Sequence, residues 1–323
     1  MFTQQEPQGQ NDEIWEPPCR IPLSRFCDHA PAMKRLSTLS FLLILSSTLA
    51  LLSAGCSSLD ERQRAWIFQP SDRSWGRAEE IARGMDEVWI DFRSAETDRP
   101  VRLHGLWSAH ERFASDPQAP VLLYLHGARF NVVGSAARAQ RLRQLGFSVL
   151  AIDYRGFGRS SDELPSETLA LEDARAAWDW LARAHPGRPR YIFGHSLGGA
   201  IAIDLATRVA DEAGTLVEGT FTSIPEVVAS YRWGWLPLEP LITQRFASVE
   251  RVAQIGSPLL VVHGSEDRTI RPELGRRLFE AARGPKRFEL VEGGTHHNTN
   301  AIGLAQYRVA MAELFGLSVP AAP

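Results

Sequence analysis

The stretch Tyr191-Ile192-Phe193-Gly194-His195-Ser196-Leu197-Gly198-Gly199 decides how the rest of the chain is read. Three apolar residues of strand character run into a G-x-S-x-G pattern, and a helical pattern, Ala200–Ala210, follows at once. A backbone that leaves a strand and enters a helix within so few residues must bend sharply. Glycine on both sides of Ser196 permits that bend, with the hydroxyl presented at its apex. The N-terminus of the helix then offers backbone N–H groups to a negative charge developing beside the serine. In this setting Ser196 reads as a nucleophile, not as a turn-forming serine.

Outward from this point, short and nearly continuous apolar runs recur: Val121–Leu125, Ser148–Ile152, Val217–Phe221, Leu259–Val262 and Phe288–Val291. Such runs suit strands covered on both faces, as in a parallel sheet. Helical patterns lie between them at Ala136–Leu145, Glu167–Ala184 and Pro272–Ala282, and Leu304–Phe315 closes the chain. The alternation predicts an α/β fold, a mostly parallel, doubly wound sheet with right-handed crossovers. Val88–Phe92 and Val101–Trp107 alternate in character and predict an antiparallel hairpin at the N-terminal edge. Residues 223–249 break the rhythm with Pro225, Pro237, Pro240, Tyr231, Trp233, Trp235 and Phe246. A small cap whose aromatic residues line an apolar pocket fits that composition better than a bare surface excursion.

A serine hydroxyl needs a base, and the base needs an orienting carboxylate. After a strand–turn–helix serine the order is acid, then histidine. Asp267, in His263-Gly264-Ser265-Glu266-Asp267, stands after the strand at Leu259, with Glu266 its near rival. The loop Gly293-Gly294-Thr295-His296-His297-Asn298 follows the last strand and carries two adjacent histidines that spacing alone does not separate. The backbone N–H groups of Ala128 and Leu197 are assigned to an oxyanion hole. His126, Asp153 and Arg155 read as shaping their loops.

The segments H-G-x-x-x-N from His126, D-Y-R-G-F-G-x-S from Asp153, G-H-S-L-G-G from Gly194, H-G-x-x-D from His263 and G-T-H-x-N from Gly294 occur in the order and spacing of the α/β-hydrolase superfamily. From about Val88 onward the chain resembles the serine-aminopeptidase-like branch, which also contains the ABHD protein depalmitoylases and the bud-emergence-type hydrolases. The resemblance implies an α/β-hydrolase fold and a Ser-His-Asp serine hydrolase. It places the acid on Asp267 and, through Gly294-Thr295-His296, the base on His296. His297 stands where that family usually has Asn.

Upstream, Met33-Lys34-Arg35 leads into an apolar run from Leu36 to Leu52 and then Ser53-Ala54-Gly55-Cys56. A basic start, an apolar segment and a small-residue site make a secretory signal. Cys56 after Ala54-Gly55 resembles a bacterial lipobox, which implies a lipid on Cys56 as the mature N-terminus. Residues 33–55 are accordingly expected as signal peptide and 1–32 as disordered or upstream of the true start. Residues 56–87 are expected as linker and N-terminal segment, and 88–323 as the hydrolase domain. Of the 3 cysteines none follows Cys56, so no disulfide is expected in that domain. Ser57 after Cys56 favours the outer membrane, facing the periplasm.

A net charge of −3 and the lack of a basic cluster beyond the signal region argue against nucleic acid. No His/Cys/Asp cluster has ligand spacing, so neither metal nor other cofactor is expected. The predicted substrate is a small acyl ester or thioester. An aminopeptidase-like peptidase and a non-catalytic envelope-binding lipoprotein are the rivals, and the sequence gives no oligomeric state.

Overall fold

The computed structural model describes residues 57–72, 77–129, 131–231 and 234–317, together with Ser46. The chain divides after Ser53 into two units, and the sheet with its helices belongs to the second. The readings that fall on residues 1–32, on the signal peptide and on Cys56 lie outside the described residues. Among the described residues no helix is long and apolar enough to cross a membrane.

Helix α1 occupies 57–68 and α2 Ala78–Ala82. The strands are β1 Asp86–Arg93, β2 Pro100–Ser108, β3 Val121–Leu125, β4 Ser148–Ile152, β5 Arg190–His195, β6 Glu212–Glu218, β7 Leu259–Gly264 and β8 Lys286–Val291. They form one sheet in the order β1-β2-β4-β3-β5-β6-β7-β8. Only the β1–β2 and β2–β4 pairs are antiparallel. The predicted mostly parallel sheet with an antiparallel N-terminal edge is the observed one.

The apolar runs work on both faces of this sheet. Val121, Leu123 and Leu125 pack with Leu150, Ile152, Leu259 and Val261 into one core. Leu122 and Tyr124 pack with Val149, Ala151, Leu260 and Val262 into the other. Strand side chains alternate between faces, so a run with no polar break requires cover on both. The first core is completed by α4 Glu167–Ala184, α5 Leu197–Arg208 and α8 Pro272–Ala281, the second by α3 Val132–Gln144 and α9 Leu304–Phe315.

Among the element boundaries that differ from the sequence reading, two have clear local reasons. Helix α3 begins at Val132, four residues before the apolar pattern starts, because Asn131 Oδ1 accepts the N–H of Gly134 at 2.8 Å and caps it. Strand β6 ends at Glu218, not Phe221, because Gly219 takes a left-handed φ of +58° and turns the backbone out of the sheet. Thr220 and Phe221 therefore leave the ladder despite their strand-forming side chains.

Strand order reverses between β3 and β5, the position at which open α/β sheets bind ligands beyond their carboxyl ends. The loops after β3, β5, β7 and β8 carry the predicted site residues. Over them lies the 223–249 segment, with α6 Ile224–Ala229, a 3-10 turn at Glu239–Leu241 and α7 Ser248–Arg251. Ser223 caps α6 by accepting the N–H of Glu226.

Candidate active site

Ser196 sits between β5 and α5 with φ +56° and ψ −120°, a backbone region that a residue with a side chain occupies only when its surroundings hold it there. The flanking glycines explain how. A Cβ on Gly194 would lie 2.2 Å from the carbonyl oxygen of Gly198, and one on Gly198 would lie 2.1 Å from that of Leu125. The elbow closes only without those two side chains.

Around the hydroxyl, His296 Nε2 lies 3.0 Å from Ser196 Oγ, and His296 Nδ1 lies 2.7 Å from Asp267 Oδ2. A carboxylate only accepts, so Nδ1 carries the proton and Nε2 turns its lone pair to the serine. Asp267 is buried. Its burial opposes the charged form, but hydrogen bonds from His263, from His296 and from the Ile270 N–H outweigh that and hold the carboxyl well below the usual range. Its Oδ1 also accepts the Thr269 N–H at 2.9 Å.

The two open choices separate geometrically. Glu266 is exposed, and its N–H is bound to the Gly294 carbonyl. His297 packs edge-on against the His296 ring, 5.3 Å between centroids, and is an exposed residue at the edge of the cavity. Asp267 and His296 are the pair brought to Ser196.

Gly127 packs directly on Ser196: a Cβ there would stand 3.0 Å from Ser196 Cβ. This sets the Gly127–Ala128 peptide beside the serine, opposite the first turn of α5 with Leu197. His126 is buried in its loop, with Tyr154 and Phe157 against its ring. Asp153 accepts the Val132 N–H at 2.8 Å, and Arg155 is fully enclosed by Asp173, Glu172 and Glu163. All three shape loops without facing the cavity.

That cavity, of about 410 Å³, opens over Ser196. Phe221, Ile224, Val227, Val228 and Ile270 give it an apolar wall. The cap aromatics divide. Tyr231 lines the cavity, whereas Trp235 is 74% exposed and borders a separate groove, and Phe246 is buried edge-on against Phe68. Trp233 lies outside the described residues.

Sequence reasoning had no access to some of what holds the site. Trp66, Ile67 and Gln69, at the end of α1 and just beyond it, line the cavity although residues 57–87 carry no motif. His195 Nε2 donates to the His296 carbonyl at 2.9 Å and so ties the His296 loop to the elbow. Burial, with Arg138 and His296 nearby, pushes His195 well below its ordinary value and keeps it neutral. Arg138 also pairs with buried Glu218 at 2.9 Å, and Glu218 accepts from Tyr307. Only the i to i+1 neighbourhood of His195 and Ser196 was visible in the sequence.

The family described as Serine aminopeptidase, S33 matches residues 116–246, which include Ser196 and end before Asp267 and His296. The uncharacterized protein Rv2307c of Mycobacterium tuberculosis is 35% identical over 240 residues, 73% of this chain and 81% of that protein. The lysophosphatidylserine lipase ABHD12 of Gallus gallus is 31% identical over 226 residues, 64% of this chain and 53% of the lipase. This chain thus spans about half the length of that relative. Among solved structures, the Pyrococcus furiosus esterase Pf2001 superposes with a TM-score of 0.58 at 17% identity, covering 76% of this chain and 97% of the esterase. That last likeness concerns the fold alone. With the fold, the motif order and these relatives in agreement, the chain belongs to the α/β-hydrolase superfamily, in its serine-aminopeptidase-like, ABHD-type branch, and is a hydrolase.

Proposed function

We propose that the protein is a serine esterase that releases an acyl group from an ester or thioester through an acyl-enzyme. The observation that carries this reading is the unbroken line Ser196 Oγ–His296 Nε2–His296 Nδ1–Asp267 Oδ2, with steps of 3.0 and 2.7 Å, at the floor of a partly apolar cavity. His296 Nε2 takes the Ser196 proton as Oγ bonds to the substrate carbonyl carbon. The carbonyl π electrons move to the oxygen, where the N–H groups of Leu197 and Ala128 receive the charge. Collapse breaks the bond to the leaving group, which takes the proton from His296. Water then repeats the sequence on the acyl-enzyme, and the carboxylic acid departs. Asp267 keeps Nδ1 protonated throughout and stabilises the imidazolium.

The peptidase reading fits the cavity less well. An aminopeptidase must hold an α-ammonium, yet none of the described lining residues is Asp or Glu, while Arg129 and Arg268 are both present. An acyl ester whose leaving group is anionic suits that lining, and ABHD12, a relative named as a lysophosphatidylserine lipase, points to the same class. The cell-envelope location, by lipidation of Cys56, rests on the sequence pattern at residues 33–56.

A fluorophosphonate probe should label the wild-type protein and not a folded Ser196→Ala variant. Hydrolysis of p-nitrophenyl esters of increasing chain length should exceed hydrolysis of aminoacyl-nitroanilides. An unlabelled, folded wild type would exclude the acyl-enzyme mechanism, and nitroanilide preference would favour the peptidase. For the envelope, an alkyne fatty acid fed to the producing bacterium should mark the protein, and Cys56→Ala should lose the mark.

A further inference from the structure

We infer that Thr220 and His126 are positioning residues that aim the two oxyanion-hole N–H groups, each by holding the carbonyl at the opposite side of the same peptide plane. The inference rests on the esterase reading only in calling that space an oxyanion hole; the two contacts themselves do not depend on it.

A trans peptide is rigid, and its C=O and N–H point in opposite directions. Whatever fixes the oxygen of one peptide therefore fixes the direction of its N–H. Leu197 N–H belongs to the peptide whose carbonyl is that of Ser196. Thr220 is fully buried, and its Oγ1 donates to the Ser196 oxygen at 2.9 Å. Ala128 N–H belongs to the peptide whose carbonyl is that of Gly127. Buried His126 places Nδ1 2.7 Å from that oxygen, and since a carbonyl only accepts, Nδ1 carries the proton. Both peptides assigned to the oxyanion hole are thus gripped from behind by a buried side-chain donor, one from β6's exit and one from β3's.

Mere satisfaction of a buried polar atom does not account for Thr220. The Ser196 oxygen already accepts the Gly199 N–H at 2.9 Å, the helical contact of the first turn. The threonine adds a second donor from outside the helix. It reaches that place through a gap that only glycine leaves: a Cβ on Gly199 would lie 2.5 Å from Thr220 Cβ and 2.6 Å from its Oγ1. The turn at Gly219 is what swings Thr220 under the elbow. Donation to a carbonyl also polarises the N–H across the same peptide, so the grip strengthens the donor it aims. A peptide already held needs no rearrangement when charge appears, which is the condition for electrostatic stabilisation of a transition state.

Thr220→Val keeps the shape and removes the donor, and Thr220→Ser restores the donor without the methyl. Removing an oxyanion donor outright costs about 10²–10³ in kcat, and loosening one should cost about tenfold. The expected result for Thr220→Val is that fall in kcat at unchanged KM, with a boronic acid inhibitor weakened by the same factor and Thr220→Ser close to wild type. His126→Ala should behave alike, and His126→Asn, which keeps an N–H near Nδ1, should recover part of the loss. Wild-type kcat in Thr220→Val, or a Thr220→Ser variant no better than the valine, would overturn the inference. A second readout needs no turnover. Ser–Leu occurs in the sequence only at Ser58–Leu59 and Ser196–Leu197, so pairing carbonyl-¹³C serine with ¹⁵N leucine isolates the Leu197 amide in an NMR spectrum. Its resonance should move in Thr220→Val and return in Thr220→Ser; an unmoved resonance refutes the grip. A wild type without hydrolysis or phosphonate labelling would count against the esterase reading alone, and the Leu197 resonance would still decide this one.

Discussion

At the residue scale, the direction of every proton in the site follows from one acceptor. Asp267 can only accept in its charged form, so it dictates the tautomer of His296, and that tautomer dictates which way the Ser196 proton moves. Asp267→Asn can present an N–H to Nδ1 and reverse the tautomer, and it should lower kcat by about 10⁴ with the fold retained. His297→Ala should keep most of the turnover, because the bonds to Ser196 Oγ and to Asp267 are those of His296; stopped-flow or plate assays on a p-nitrophenyl ester separate the two. The same carboxylate sets a pH dependence of stability. Its pKa is depressed in the fold, so the unfolded state, with an ordinary value near ~3.9, binds the proton first. The stability it contributes is complete above that value and declines as pH falls from there toward the depressed one. Denaturant titrations at descending pH should show wild type losing stability below about pH 4 more steeply than Asp267→Asn.

Elements position these residues through contacts that have little to do with catalysis. The loop after β4 is tied to α4 by Arg155, which is fully buried and donates through Nε to Asp173 at 2.8 Å, through its backbone N–H to the other oxygen of Asp173 at 2.9 Å and through Nη2 to the Leu169 carbonyl at 3.2 Å. Arg155→Met would leave the Asp173 carboxyl buried without its cationic partner, a change that costs about 3–5 kcal/mol. Adding Asp173→Asn to the same chain should recover part of the loss, and chemical denaturation of the single and double variants measures how much. The helices were legible in proportion to how locally they are specified. Glu167–Ala184 and Leu304–Phe315 were read to the residue, since each carries its own apolar stripe. The start of α3 was not, because a cap at Asn131, not apolar periodicity, sets it. Nor was the end of β6, because Val217 to Phe221 continues a strand-like pattern past a glycine whose positive φ depends on the space around it.

For the molecule as a whole, the cavity joins parts of the chain that are far apart in sequence. Trp66 and Ile67 come from α1, Arg129 from the β3 loop, Val227 and Tyr231 from the cap, and Arg268 from the loop that also carries Asp267. Apolar wall and cationic rim together predict a preference among esters. An acyl ester with a phosphate or carboxylate in its leaving group should have a higher kcat/KM than its quaternary-ammonium counterpart. Arg268→Glu should narrow or reverse that ratio by about twofold to fivefold, the reach of an exposed charge pair worth up to ~1 kcal/mol, and added salt should shrink it further. Steady-state kinetics on the matched pair at two ionic strengths gives the answer.

What the sequence determined by itself was whatever is encoded within one element and its turn. The double-faced strands, the elbow at Gly194–Gly198, the candidate nucleophile and the order in which acid and base candidates follow are all of that kind, because steric limits on glycine and the two periodicities act over a few residues. The hydrolase family was readable for the same reason, as five short segments in a fixed order. Distance across the sheet decided the rest. His296 over His297 and Asp267 over Glu266 are choices between adjacent residues that spacing left open and the family resemblance made, and the path of β7 and β8 relative to β5 is what brings those two side chains to Ser196. Thr220 behind Leu197 and Trp66 in the cavity wall are likewise products of chain crossings, where residues without a motif acquire a role from what they are packed against.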